Sequence, residues 1–310
     1  MSPVSGRGLH HVTVVATDPG RNLDFYRHVL GLRLEKRTVT HEDPGAYHLM
    51  YGQNDGRPGG HLTFFSWRSA APAPRQPDDV EFLSFAVDAA ALDWWEERLD
   101  RMKVACHREA MPSGAPAITL QDPDGTALAL VGGLAGRGGR EGAGIPGAFA
   151  IHGLRAVALS LHDTDLMAVI LTEVLGYAET GRCGDWTAFS AHDQAGGEFL
   201  LHRRGDDRRA RLGAGSIHHV AFRTSDDETQ ARMAALLKSR VGIEASPVKD
   251  RFYFRSIYFR GPDGILIEMA TDGPGLLIDE ARDNLGERLV LPPGLEGRRD
   301  ELLRLLPPLA

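Results

Sequence analysis

The chain has 310 residues, a formal net charge of −7, and 42% apolar and 25% charged residues. That is a globular composition with room for about two ordinary domains. The acid excess speaks against a general nucleic-acid partner, and no run of roughly 18 apolar residues is present to form a membrane span. Cys106 and Cys183 are the only cysteines, too few for a disulfide framework or a thiolate metal site. Without a basic-then-apolar leader, this pattern fits a cytoplasmic protein whose metal ligands, if any, are nitrogen and oxygen.

The chain opens with a strand over residues 11–16. Asp18 is placed to cap a helix with Pro19 at its first position; Leu23, Tyr26 and Leu30 follow at helical spacing, and Gly31 stops it. Short apolar stretches lead to Leu62-Thr63-Phe64-Phe65. A second unit opens at Phe82-Leu83-Ser84-Phe85-Ala86-Val87. Asp88 can cap its helix, which carries Leu92, Trp95 and Leu99, and the unit closes on Leu128-Ala129-Leu130. Residues 132–147, rich in glycine, read as a linker. A third unit opens near Leu154, and its helix ends at Leu175-Gly176-Tyr177, echoing Leu30-Gly31-Leu32. The fourth opens at His218-His219-Val220-Ala221-Phe222 and closes on a strand after Pro262-Asp263-Gly264.

The opening strands recur at intervals of roughly 63 to 73 residues, a repeat architecture, and align His11 with Ser84, Ala156 and His219. Each unit reads β-α-β-β-β. The expected fold class is therefore α+β, with four βαβββ modules in two pairs. Residues 1–135 and 148–272 form two domains of two modules each, and residues 273–310 form a tail that packs back on the body.

The repeat also serves as an internal control for function. Glu268 ends an otherwise apolar strand, where a carboxylate is costly unless something positive meets it. His11 and His219 hold equivalent places in the first and fourth units, whereas Ala156, Ser84 and Ala129 fall at the corresponding places elsewhere. Core packing does not predict that asymmetry. Two imidazoles and one carboxylate on strands point to one two-His, one-carboxylate metal site built by the first and fourth units. The remaining histidines (His28, His41, His48, His61, His107, His152, His162, His192 and His202) read as surface or satisfied core.

Paired βαβββ units with strand-borne His and Glu resemble the vicinal oxygen chelate superfamily, which includes glyoxalase I, extradiol dioxygenases and bleomycin-resistance proteins. The resemblance runs through almost the whole chain: Leu9-His10-His11-Val12-Thr13, Asp24-Phe25-Tyr26, Tyr47-His48-Leu49, Gly56-Arg57-Pro58-Gly59, His218-His219-Val220-Ala221-Phe222 and Leu285-Gly286-Glu287 carry it. Within that superfamily the chain is most similar to hydroquinone-type ring-cleaving dioxygenases. The resemblance implies His11, His219 and Glu268 as metal ligands, and His10, Thr13, His218, Arg251 and Tyr258 as catalytic residues around them. It implies Fe(II) as the cofactor, with Mn(II), Zn(II) or Ni(II) as alternatives, and a small aromatic substrate with O2 as partners. Catechol-cleaving relatives carry a histidine shortly before the tyrosine of the last hairpin. Here that stretch reads Lys249-Asp250-Arg251, which tilts the expectation toward para-diols.

Strand alternation places His10 and His218 on the face opposite the ligands, and pairing across the Pro262-Asp263 turn places Tyr258 on the face opposite Glu268. Two rival functions stay open at this stage: a glyoxalase-like lyase or isomerase with a fourth protein ligand, and a non-catalytic small-molecule binder. A homo-oligomer is compatible with the architecture, but no sequence feature forces one.

Overall fold

The repeated strand and cap signals become sixteen strands and five helices in a computed structural model, which describes residues 8–53, 55–71, 80–133, 139–191, 196–205 and 212–309. The first module comprises β1 (Leu9–Ala16), α1 (Pro19–Asp24, wound on more loosely through Val29), β2 (Arg33–Val39), β3 (Tyr47–Gly52) and β4 (His61–Ser66). The second comprises β5 (Val80–Val87), α2 (Leu92–Arg101), β6 (Cys106–Ala110), β7 (Pro116–Gln121) and β8 (Ala127–Gly132). The third comprises β9 (Gly153–Leu161), α3 (Thr164–Val169), β10 (Ala178–Cys183), β11 (Trp186–Ser190) and β12 (Glu198–Arg203). The fourth comprises β13 (Ile217–Thr224), α4 (Asp227–Leu236), the short β14 (Lys249–Asp250), β15 (Phe254–Arg260) and β16 (Leu266–Pro274). A final helix, α5 (Arg299–Leu305), lies in the tail.

One capping device recurs in three modules. Asp18 accepts from the Gly20 and Arg21 amides, Asp163 from Leu166, and Asp226 from Thr229, each cap stabilising its helix by about 1 kcal/mol. Asp88 precedes a short turn and makes no such bond. Gly31 ends the first helix at a φ of 70°, where a Cβ would also meet Ile145 Cδ1 at 2.4 Å. Ile145 is thus a buried part of the core within the stretch that reads as a linker.

The strands form two eight-stranded sheets, ordered β14-β15-β16-β13-β1-β4-β3-β2 and β10-β11-β12-β9-β5-β8-β7-β6. Each sheet joins one module from each half of the chain: the first with the fourth through β1 and β13, the second with the third through β5 and β9. Period-two alternation then divides the first sheet's side chains. Val12, Val14, Leu62, Phe64, Leu49 and Tyr51 join the core with Leu23 and Tyr26 of the helix. His11, Thr13, Thr63, Phe65, His48 and Met50 are left on the other face.

The register corrects the sequence alignment by two residues. Ala221 of β13 and Ser84 of β5 pair with Glu268 and Ala129 respectively, so Phe82, rather than Ser84, holds the place of His219. Ala156 holds that of His11 and Ala129 that of Glu268. The same mapping puts Thr63 of β4, paired with Thr13, at the place of Glu268 within the first module.

The tail lies along the sheet edge formed by β2. The Val290 amide donates to the Arg37 carbonyl at 2.9 Å, Tyr47 Oη donates to the Pro307 carbonyl at 3.0 Å, and Leu291, Leu302 and Leu306 are buried. Covering an open edge in this way removes a template for unwanted strand pairing.

Candidate metal centre

His11 on β1, His219 on β13 and Glu268 on β16 converge in the first sheet, each almost fully buried. Their ligand atoms all lie within 4.8 Å of one another. Glu268 Oε2 is 3.1 Å from His219 Nε2 and 3.6 Å from His11 Nε2, and the two Nε2 atoms are 3.0 Å apart. Burial pushes the Glu268 carboxyl up, but the two imidazoles outweigh it and hold the group well below the usual carboxylate range. Burial lowers His11, with Glu268 opposing. Among the described residues no lysine or arginine forms an ion pair with Glu268. A buried anion facing two imidazole nitrogens is the donor set of a divalent cation.

Both imidazoles are oriented from behind by their chain neighbours. His10 Nδ1 lies 2.8 Å from His11 Nδ1, and His218 Nδ1 lies 2.7 Å from His219 Nδ1. Assigning the proton to Nδ1 of His11 and His219 satisfies both contacts and leaves their Nε2 lone pairs free for a cation. This geometry corrects the alternation argument. The β1–β13 register slips at His10 and again at His218, so each is the extra residue of a β-bulge. A bulge re-aims its side chain, bringing each His10-His11 and His218-His219 pair into mutual contact. Burial, then His11, lowers His10 well below the ordinary imidazole range; burial, then His219, lowers His218 to about 4.

Tyr258 is a second correction. Its connection to β16 spans residues 261–265, so Arg260 pairs with Leu266 and Tyr258 pairs directly with Glu268. Directly opposed antiparallel residues share a face, and the Tyr258 ring lines the same cavity as Glu268. Arg251 Nε donates to Tyr258 Oη at 3.1 Å and Arg251 Nη1 meets Glu42 Oε1 at 2.7 Å. Burial pushes the Tyr258 phenol well above its ordinary value, so it stays protonated at neutral pH. Thr13 Oγ1 lies 2.9 Å from His219 Nε2 and 2.7 Å from Thr63 Oγ1.

Sequence reasoning overlooked four groups. Ser256, fully buried on β15, donates to Glu268 Oε1. That bond occupies one carboxylate oxygen and leaves Oε2 toward the histidines. His41 and His48 line the cavity, although both read as surface or satisfied core. His61 pairs with the buried Glu35 at 2.9 Å beside His11 in the sheet. Only the polarity of Ser256 and His48 in apolar strands offered a signal. His192 lies outside the described residues.

The cavity beside the triad measures about 360 Å³. Val39, Met50, Phe65, Trp67, Phe254 and Leu266 give it apolar walls, and Arg251, Tyr258 and His218 supply polar groups. A mostly apolar chamber with a few convergent polar groups suits a small organic molecule. No helix among the described residues is long and apolar enough to cross a membrane.

Residues 8–130 match the family model described as "Glyoxalase/Bleomycin resistance protein/Dioxygenase superfamily". The chain is 38% identical to "Putative ring-cleaving dioxygenase MhqA" of Bacillus subtilis over 97% of its own length and 98% of that protein. It is 28% identical to "Chlorohydroquinone/hydroquinone 1,2-dioxygenase" of Sphingobium indicum, covering 98% and 97% of the two chains. The crystal structure of a "putative dioxygenase" from Bacillus subtilis superposes with a TM-score of 0.92 at 35% identity, covering 99% of this chain and 98% of that one. The chain therefore belongs to the glyoxalase/bleomycin resistance protein/dioxygenase superfamily and groups there with relatives named as ring-cleaving dioxygenases.

Proposed function

We propose that the protein is a metal-dependent ring-cleaving dioxygenase acting on a hydroquinone-like aromatic, with Fe(II) held by His11, His219 and Glu268. The observation that carries this reading is Thr63. The first and fourth modules match at His11 and His219, but where the fourth module offers Glu268 the first offers a neutral threonine. A closed four-ligand site needs a donor there. A three-ligand site leaves that side to substrate and O2, as a catalytic metal requires. The hydroquinone dioxygenase among the relatives supports the substrate class.

Held by His11, His219 and Glu268, Fe(II) would supply redox and Lewis-acid chemistry for the reaction of O2 with a phenol. The protein does the rest. Phe65, Trp67 and Phe254 receive the aromatic ring and exclude water. Tyr258, kept protonated by burial and accepting from Arg251, donates its own O–H toward charge that develops on a substrate oxygen. His218, whose Nδ1 accepts from His219, keeps its proton on Nε2 and lines the cavity as a neutral donor toward a substrate oxygen. His10 and His218 fix the ring planes of the two ligand histidines, and Thr13, bonded to Thr63, sets a hydroxyl beside His219 Nε2. In the overall reaction one ring C–C bond breaks beside a hydroxyl and both atoms of O2 enter the product.

The test is an oxygen-electrode assay of anaerobically iron-loaded protein against a panel of hydroquinones and catechols. O2 consumption equimolar with a hydroquinone is expected. Conversion of a thiol–aldehyde adduct without O2 uptake would move the assignment to a glyoxalase-like isomerase, and ligand binding without turnover would move it to a non-catalytic binder.

A further inference from the structure

His48 sits at a place that the first sheet's internal symmetry makes informative. Thr63 pairs with Met50 and Phe65 with His48, as Glu268 pairs with Tyr258 and Ala270 with Ser256. His48 in the first module therefore occupies the position of Ser256 in the fourth. Ser256 uses that position to hydrogen-bond the Glu268 carboxylate. In the first module the place of that carboxylate is held by Thr63. His48 is 8% exposed, and among the described residues its Nε2 has no hydrogen-bond partner. A buried polar atom left without a partner costs about 1–3 kcal/mol, and a hydroxyl group held in the cavity that His48 lines would supply one. Its ring is set edge-on against Phe65, with centroids 4.7 Å apart, and lines the same cavity as His11, His219 and Glu268.

We propose that His48 is a substrate-binding residue, hydrogen-bonding the hydroxyl oxygen of the aromatic substrate that lies on the Thr63 side of the metal site. The inference rests on the dioxygenase reading and adds the side from which the substrate is held. A neutral imidazole offers one donor and one acceptor, so it pairs with an aryl hydroxyl in either protonation state. Burial, followed by the neighbouring His11 and His219, keeps His48 neutral at physiological pH. The arrangement is complementary: the fourth module grips the cation through Ser256 and Glu268, and the first module grips the organic ligand through His48.

The experiment compares wild type, His48→Phe and His48→Gln as full-length protein. Hydroquinone is titrated anaerobically into the Fe(II)-loaded forms by calorimetry, alongside metal content and steady-state O2 uptake. In His48→Phe the dissociation constant for hydroquinone should rise about three- to tenfold, the loss of one neutral hydrogen bond. KM should rise by a similar factor, with kcat changing less. His48→Gln, which keeps a polar group there, should lie closer to wild type, and metal content should be equal in all three. Unchanged hydroquinone binding in His48→Phe overturns the proposal; His48 would then serve only the water-sized pocket of about 20 Å³ that it shares with His10 and His61. Loss of metal in both variants also overturns it, by making His48 a structural support of the cation. If wild type neither binds nor oxidises any diol, the dioxygenase reading itself fails, a result distinct from a selective loss in the variants.

Discussion

The β5–β9 seam of the second sheet repeats the β1–β13 seam of the first, including two β-bulges, yet the two seams carry opposite chemistry. Where the first has His11, His219 and Glu268, the second has Ala156, Phe82 and Ala129. Where the first has the bulged His10 and His218, the second has Arg155 and Glu81. Those two turn to neighbours: Arg155 to Glu198 at 2.8 Å, and Glu81 to His202 at 2.6 Å. Ala129, Ala117, Val131 and Met111 fill the second sheet's equivalent of the His11–His219–Glu268 cluster as an apolar cluster. Ala117 stands where the first sheet has Ser256. One backbone plan thus supports either a packed core or a charged site. The apolar version stabilises the fold directly. The charged version buries a carboxylate and two imidazoles, whose desolvation a bound cation would offset.

The largest expected break in this comparison is Glu268→Ala. It gives the first sheet the second sheet's residue, and metal content should fall from about one ion per chain to below roughly a tenth, by elemental analysis of protein loaded under equal conditions. The reverse change, Ala129→Glu, should bind no metal, since Phe82 and Ala156 offer no nitrogen. It should instead destabilise the protein by several kcal/mol in urea unfolding, because it buries an unpaired carboxylate. A metal-binding Ala129→Glu variant would show that the backbone plan alone suffices and that the histidines do not define the site.

Thr63→Glu probes the open side of the site. It restores a carboxylate at the first module's equivalent of Glu268, so metal affinity should rise at least tenfold by chelator competition while O2 uptake falls to near zero. Retained O2 uptake together with tighter binding would separate Thr63 from the position used by substrate. Ser256→Ala, which copies Ala117, should be milder. The freed Glu268 Oε1 loses its donor, and metal affinity should drop about 10- to 100-fold, with Ser256→Thr recovering part of it.

The contrast between the seams also explains what the sequence could and could not reveal. The module repeat was legible because strand and cap signals recur with Asp18, Asp163 and Asp226 in the same role. The pattern of His11, His219 and Glu268 was legible because ligand-type residues in two modules stand against the small neutral Ser84, Ala156 and Ala129 aligned with them in the others. The bulges were not. They carry no glycine, and a one-residue slip at His10 or His218 reverses which face a side chain takes. The same physics displaced the alignment from Phe82 to Ser84, and a five-residue connection reversed the face expected for Tyr258. His48 was invisible for another reason. A histidine between Tyr47 and Leu49 looks like an ordinary core residue until its unpartnered nitrogen and its symmetry mate Ser256 are seen together.

The smallest effect expected concerns Glu42, whose side chain is 63% exposed and pairs with Arg251 at the rim of the cavity. At the edge of the second sheet lies a more exposed pair, Arg108 with Asp93, in which Arg108 also meets Glu96. Exposed ion pairs contribute about 0–1 kcal/mol and weaken with salt. Glu42→Ala and Asp93→Ala should therefore lose similarly small amounts of stability in urea. They should differ in one respect only. Arg251 keeps its bond to Tyr258 when Glu42 is removed, but the guanidinium loses one of its two anchors, so KM for hydroquinone should rise less than about threefold in Glu42→Ala. The rise should shrink at high salt, where the wild-type pair is already screened. Asp93→Ala should leave KM unchanged at any salt. Equal KM shifts in the two variants would mean that Arg251 reaches the cavity without help from the rim, and that surface charge on the two sheets is interchangeable.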